Sequence, residues 1–219
     1  MIFPSLDRVK AIAPGYDIVP VYMEILSDVR TPISVLKALK QVSSHTYLLE
    51  SADNSNHWGR YSFLGYDPKI ELFCKNHKMT IKDGTTRTFE CSDPAAEIRN
   101  ILSQYKSPRL EELPTFTGGF VGYFACEYIR YIEPTLDFPT PDDDSAMVND
   151  VDLMLFDKVI AFDHYKNKIY LIANISTNDL ERNYNKAELE LKTLADLVVN
   201  GKEADVPKGI LKTEFTSEF

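Results

Sequence analysis

The chain has 219 residues, 44% of them hydrophobic, a composition that supports a sizeable buried core and excludes global disorder. A net charge of -9 argues against a broad grip on nucleic acid or an anionic membrane, since both need clustered Lys and Arg. No stretch approaches the roughly 20 apolar residues of a membrane span, and the start has no basic region followed by an apolar run, so a cytoplasmic protein is expected. Cys74, Cys91 and Cys126 are odd in number and widely spaced, which suits reduced core thiols better than a disulfide framework or a zinc site.

In chain order, the first clear helix signal is Thr31-Pro32, a capping residue followed by a proline that needs no amide partner. Val35, Leu36, Leu39 and Val42 then form an apolar stripe. Residues 47–51 and 60–65 read as strands, joined by a polar loop from Asp53 to Trp58. Ile70 to Cys74, Met79 to Lys82 and Thr86 to Glu90 form a meander, with Asn76-His77 and Asp83-Gly84 at its turns.

Asp93-Pro94 opens a second helix that aligns Ile98, Ile101, Leu102 and Tyr105 and covers this sheet. The glycine-rich run 117–124 is a strand in which missing side chains point to a bulge or to close approach by another backbone or a ligand, with close packing favoured, and a short helix follows through Tyr131. The Pro- and Asp-rich stretch 134–145 reads as a loop. A long hairpin is expected from residues 152–163 and 168–175, turning at Tyr165-Lys166-Asn167. The last helix runs from about Asn178 to Val199, with Ala187, Leu191, Leu194 and Val198 on one face and Asn200-Gly201 as the stop. Antiparallel strands in runs, not in strict alternation with helices, give an α+β class. The expected layout is one domain over 1–201 and a charged linker over 202–219.

Little in this sequence suggests catalysis. The four histidines, His45, His57, His77 and His164, lack metal-ligand spacing and read as solvated loop residues. Asp142, Asp143 and Asp144 more readily solvate a loop than hold a cation. Gly118-Gly119-x-x-Gly122 lacks the lysine and hydroxyl of a phosphate loop. More informative are Leu48-Leu49-Glu50-Ser51 and Gly59-Arg60-Tyr61-Ser62, two apolar strands carrying polar groups that either satisfy one another or face a ligand. A free amino acid needs an acceptor for its ammonium, donors for its carboxylate and an apolar wall. Glu50, Ser51 and Leu49 or Tyr61 could supply one each, although a Glu-Ser pair beside Arg60 is also an ordinary structural feature.

Taken in order, residues 28–32, 47–51, 58–65, 116–124 and 152–164 resemble the amino-terminal domain of anthranilate synthase component I over roughly residues 10–219. The resemblance implies a parent enzyme that makes anthranilate and pyruvate from chorismate and glutamine-derived ammonia, under feedback inhibition by tryptophan. It implies a tryptophan site at Pro32, Leu49, Glu50, Ser51, Arg60, Tyr61 and Ser62. No catalytic residue, metal ligand or cofactor is expected within these residues. Chorismate and Mg²⁺ would bind a carboxy-terminal catalytic domain absent from this chain, and a glutamine amidotransferase subunit, component II, would be a partner alongside L-tryptophan. The related aminodeoxychorismate synthase component I of folate synthesis and a glutaminase-docking module that binds no small molecule remain as alternatives.

Overall fold

The structure is a computed structural model, described for residues 1–28, 30–50, 59–133, 135 and 148–205. Its elements in chain order are α1 (Leu6–Ile12), β1 (Ile18–Leu26), α2 (Pro32–Leu39), β2 (Thr46–Leu49), β3 (Tyr61–Tyr66), β4 (Ile70–Lys75), β5 (Lys78–Lys82) and β6 (Thr86–Glu90). There follow α3 (Pro94–Leu102), β7 (Gly119–Phe124), a 3₁₀ turn (Cys126–Tyr128), α4 (Ile129–Ile132), β8 (Val151–Phe156), β9 (Lys158–Asp163), β10 (Lys168–Ser176) and α5 (Leu180–Asn200). The strands form two antiparallel five-stranded sheets, ordered β1-β10-β9-β3-β2 and β6-β5-β4-β8-β7. This is the expected α+β class.

The first sheet is covered on both faces. Helices α2 and α5 bring Val35, Leu39, Leu191 and Leu194 against Leu64, Ile160, Phe162 and Leu171. The opposite face, carrying Tyr22, Val159, Ala161 and Tyr170, packs under Leu110, Leu113 and Phe116. In the second sheet, Leu72, Met79, Ile81 and Leu153 are buried under Ile98 and Ile101 of α3, which covers the meander as expected.

Three expectations need correction. Residues 152–163 are not one arm of a hairpin: the strand breaks at Asp157, where β8 in the second sheet hands over to β9 in the first. Asn174 of β10 marks the corner, its backbone N–H donating to the Asp157 carbonyl at 2.9 Å and its side-chain amide donating to the carbonyls of Thr117 and Asp157 at 2.7 and 3.1 Å. A strand that changes partners at such a bend is how two packed sheets share one chain. Second, α2 ends at Leu39, so Val42 is 56% exposed and outside the buried stripe. Third, Cys126 is exposed, whereas Cys74 and Cys91 are buried, and burial pushes both of their thiols up.

Arg30 ties the start of α2 to the end of α5. Its guanidinium donates to the carbonyls of Gly201 at 2.7 Å and Val199 at 3.3 Å, satisfying orphan acceptors at the α5 C-terminus, where a cation also complements the helix dipole. One residue later Thr31 starts α2 with a reciprocal capping box to Ser34. Beyond α5 the chain turns back over α2: Ala204 donates to the Lys37 carbonyl at 3.0 Å, and Glu203 pairs with Arg30 and Lys37. Residues 206–219 of the expected linker lie outside the described residues.

Candidate functional site

Of the residues singled out in the sequence, Leu49, Glu50, Arg60, Tyr61 and Ser62 lie together at one end of the β2–β3 edge of the first sheet, and strand alternation divides them between its faces. Leu48 pairs with Leu64 and Leu49 with Phe63, so Glu50 falls in register with Ser62. Leu64 belongs to the helix-covered face and Phe63 to the other. Glu50 and Ser62 therefore share the α2 and α5 face, and Leu49 and Tyr61 share the opposite one. Ser62 is 1% exposed, and its hydroxyl lies 3.4 Å from Glu50 Oε1. Leu49 is 49% exposed, and the Tyr61 ring leans on Phe63 at 5.8 Å between centroids. Pro32 is the first residue of α2, the helix packed against β2 and β3. Ser51, like the loop from Asp53 to Trp58 and the aspartates 142–144, lies outside the described residues.

Arg60 does not pair with Glu50. It forms a two-pronged bond to Asp163 of β9, Nε to Oδ1 at 3.1 Å and a terminal nitrogen to Oδ2 at 2.7 Å, with its charge also over the Tyr61 ring. Asp163 is fully buried and accepts from the backbone N–H groups of Tyr165 and Lys166 at 3.1 and 3.0 Å. Burial alone would raise the pKa of this carboxyl, but Arg60 and the two amides outweigh burial and hold it below the ordinary carboxylate value. Arg60 is thus committed to Asp163, and Glu50 stands beside Ser62 at the exposed end of a strand.

One residue of this cluster escapes a reading of sequence alone. His164, expected as a solvated loop histidine, is exposed but places Nε2 2.7 Å from the Ser62 hydroxyl. Its ring lies nearly parallel to that of Phe162, 6.4 Å away between centroids. The signal was the register of β9, in which Ser62 sits opposite Phe162 and His164 follows two positions on.

Among the described residues, two cavities lie elsewhere. One of about 270 Å³ between β10 and α5 is lined by Lys69, Asp157, Lys158, Lys186 and Glu190, and two of its lysines are already paired, Lys158 with Asp67 and Lys186 with Glu190. A smaller one of about 100 Å³ lies beside Gly118 and Gly119. Among the described residues no three His, Cys, Asp or Glu side chains converge as metal ligands would, and no helix is long and apolar enough to cross a membrane.

No protein-family model matches the chain. It is 36% identical over 197 residues to anthranilate synthase component 1 of Acetivibrio thermocellus, a match covering 89% of this chain and 39% of that protein. With the protein of the same name from Acinetobacter calcoaceticus, identity is 39% over 189 residues, covering 84% of this chain and 37% of the relative. A crystal structure of anthranilate synthase component I from Streptococcus pneumoniae TIGR4 matches with a TM-score of 0.46 at 26% identity, covering 77% of this chain and 36% of that one. The chain thus spans somewhat under two fifths of the length of these curated relatives. Across nearly all of its own length, at more than a third identity to proteins of one name, the chain belongs to the anthranilate synthase component I family.

Proposed function

We propose that this chain is the tryptophan-sensing portion of an anthranilate synthase component I. In this reading the remaining length of such a protein carries the lyase chemistry, taking chorismate and glutamine-derived ammonia to anthranilate and pyruvate in the cytoplasm. Mg²⁺ and the docking of a glutamine amidotransferase subunit belong to that larger assembly. The described residues offer no ligand set that fits a metal, so no step in this chain is routed through Mg²⁺.

The observation that carries the reading is the meeting of Glu50 and Ser62, brought 3.4 Å apart at the open end of an otherwise apolar sheet face. An exposed carboxylate there accepts the ammonium of an amino acid, and the half-buried Pro32 starts the helix that packs over the same strands. Leu49 and Tyr61 face the other way, so the Glu50 side of the sheet is the half of the site that geometry favours. Inhibition then follows by population shift: tryptophan favours whichever arrangement of the whole protein it binds better, by no more than that difference in affinity.

Calorimetric titration of L-tryptophan into the full-length protein, with L-phenylalanine as control, tests the assignment. Selective heat for tryptophan is expected, and Glu50→Gln should weaken binding about 10- to 100-fold, the worth of one charge-assisted hydrogen bond. Equal heats for the two amino acids, or an unaltered Glu50→Gln, would remove the site.

A further inference from the structure

We propose that His164 is a positioning residue of this site, donating from Nε2 to Ser62 so that Ser62 in turn donates to Glu50 and aims its carboxylate. The ligand half of this inference rests on the tryptophan reading above, whereas the direction of the hydrogen-bond chain does not.

The direction follows from counting protons. The Ser62 hydroxyl is buried and, among the described residues, has two partners, His164 Nε2 at 2.7 Å and Glu50 Oε1 at 3.4 Å. It carries one proton, and an ionised carboxylate only accepts. If that proton pointed at His164, the Ser62 and Glu50 oxygens would face each other lone pair to lone pair, and the exposed Glu50 carboxylate would be drawn to solvent and away from Ser62. Both contacts are attractive only when Ser62 donates to Glu50 and His164 supplies its own proton. Nε2 therefore bears hydrogen.

The rest of the cluster holds the imidazole where this donation works. The His164 backbone N–H donates to the Arg60 carbonyl at 2.9 Å, tying the residue to the start of β3. The preceding Asp163 is fully buried and clamped by the Arg60 fork, which also occupies the positive charge that would otherwise compete for Glu50. Phe162 backs the ring. Glu50, which has little packing of its own at the exposed strand end, is thus oriented from beneath by a donor fixed on β9. An oriented acceptor gives up less rotational freedom when an ammonium arrives.

Glutamine and asparagine separate this role from mere packing. His164→Gln can place an amide N–H near the position of Nε2, whereas the shorter side chain of His164→Asn reaches only as far as Nδ1. In the full-length protein, His164→Gln should bind L-tryptophan within about threefold of the parent and His164→Asn about tenfold more weakly, the range of one hydrogen bond to a charged group. The loss should recur with tryptamine, which keeps the ammonium, and vanish with indole-3-propionate, which lacks it. Equal melting temperatures for the two variants exclude a folding defect.

Nitrogen-15 spectra of the ligand-free protein read the proton directly. Hydrogen on Nε2 is expected; a bare Nε2, or equal affinities of the Gln and Asn variants, would overturn the proposal. Hydrogen on Nε2 in a protein that binds none of the three ligands would instead refute the tryptophan reading and leave the chain of donors standing.

Discussion

Asp163 has no accessible surface and four hydrogen bonds, two of them from Arg60, whose own side chain is 34% exposed. Removing the arginine leaves a buried carboxylate with only its two backbone donors, so Arg60→Ala should lower stability by about 2–3 kcal/mol near neutral pH. The sign of the pH dependence follows from the depressed pKa of Asp163. Its contribution is complete above the unfolded-state value of about 3.9 and disappears as pH falls through the lower folded-state value. Urea unfolding of the parent and Arg60→Ala at pH 7 and again near pH 3 should show the gap shrinking in acid; a constant gap would mean that the pair is not what stabilises this corner.

Legibility at this scale was uneven for a physical reason. Glu50 and Ser62 stood out because polar groups on apolar strands are expensive unless matched, and the structure does match them. Their expected companions Leu49 and Tyr61 sit across the sheet, because adjacent residues on a strand point to opposite faces and a local motif does not reveal which face the ligand uses. His164 was invisible because its link to Ser62 spans 102 positions and depends on the pairing of β3 with β9.

Among the elements, those with chemical punctuation were read from sequence. Thr31-Pro32 and Asp93-Pro94 start α2 and α3, with both capping side chains accepting backbone hydrogen bonds, and the Ala187 to Val198 stripe of α5 is buried throughout. Before Thr31 the sequence carries no clear signal of an element. Yet β1 is there, with a burial pattern almost continuous from Val19 to Met23, so it lacks the alternation that marks a half-buried strand. Pro20 within it fits its place at the sheet edge, where a missing N–H is tolerated.

Of the alternatives that the glycine-rich β7 allows, close approach by another backbone is the one seen: a Cβ at Gly122 would overlap the Asp152 carbonyl of the paired strand β8. Gly122→Ala should therefore cost roughly 2–3 kcal/mol in thermal or urea unfolding, in the range for overpacking. An alanine tolerated without loss would show that β7 can move away from β8.

At the scale of the molecule, the two sheets are joined where one strand changes partners, and no periodicity in the apolar run 151–163 announces the break at Asp157. What fixes it is Asn174, reaching from β10 to the carbonyls of Asp157 at the junction and of Thr117 ahead of β7, with Gly118 small enough to admit it: a Cβ there would lie 2.6 Å from the Asn174 amide nitrogen. Asn174→Leu keeps the volume but leaves the Thr117 and Asp157 carbonyls without this donor. A loss of about 2–3 kcal/mol is expected in urea unfolding, with faster hydrogen exchange at the β8–β9 corner than at the β4–β5 turn. Unchanged exchange at the corner would assign the junction to the backbone alone.

The outer position of β1 also governs when this molecule can take shape during synthesis. Within its sheet β1 pairs with β10 alone, and Ile18 meets Ser176, about 160 residues further along. At a ribosomal pace of about 5–20 residues per second, β1 waits roughly 8–30 s for its neighbour, while the local meander β4-β5-β6 can pair soon after it emerges. The second sheet can therefore begin first, and an early apolar segment must wait for its sheet neighbour until β10 has been made.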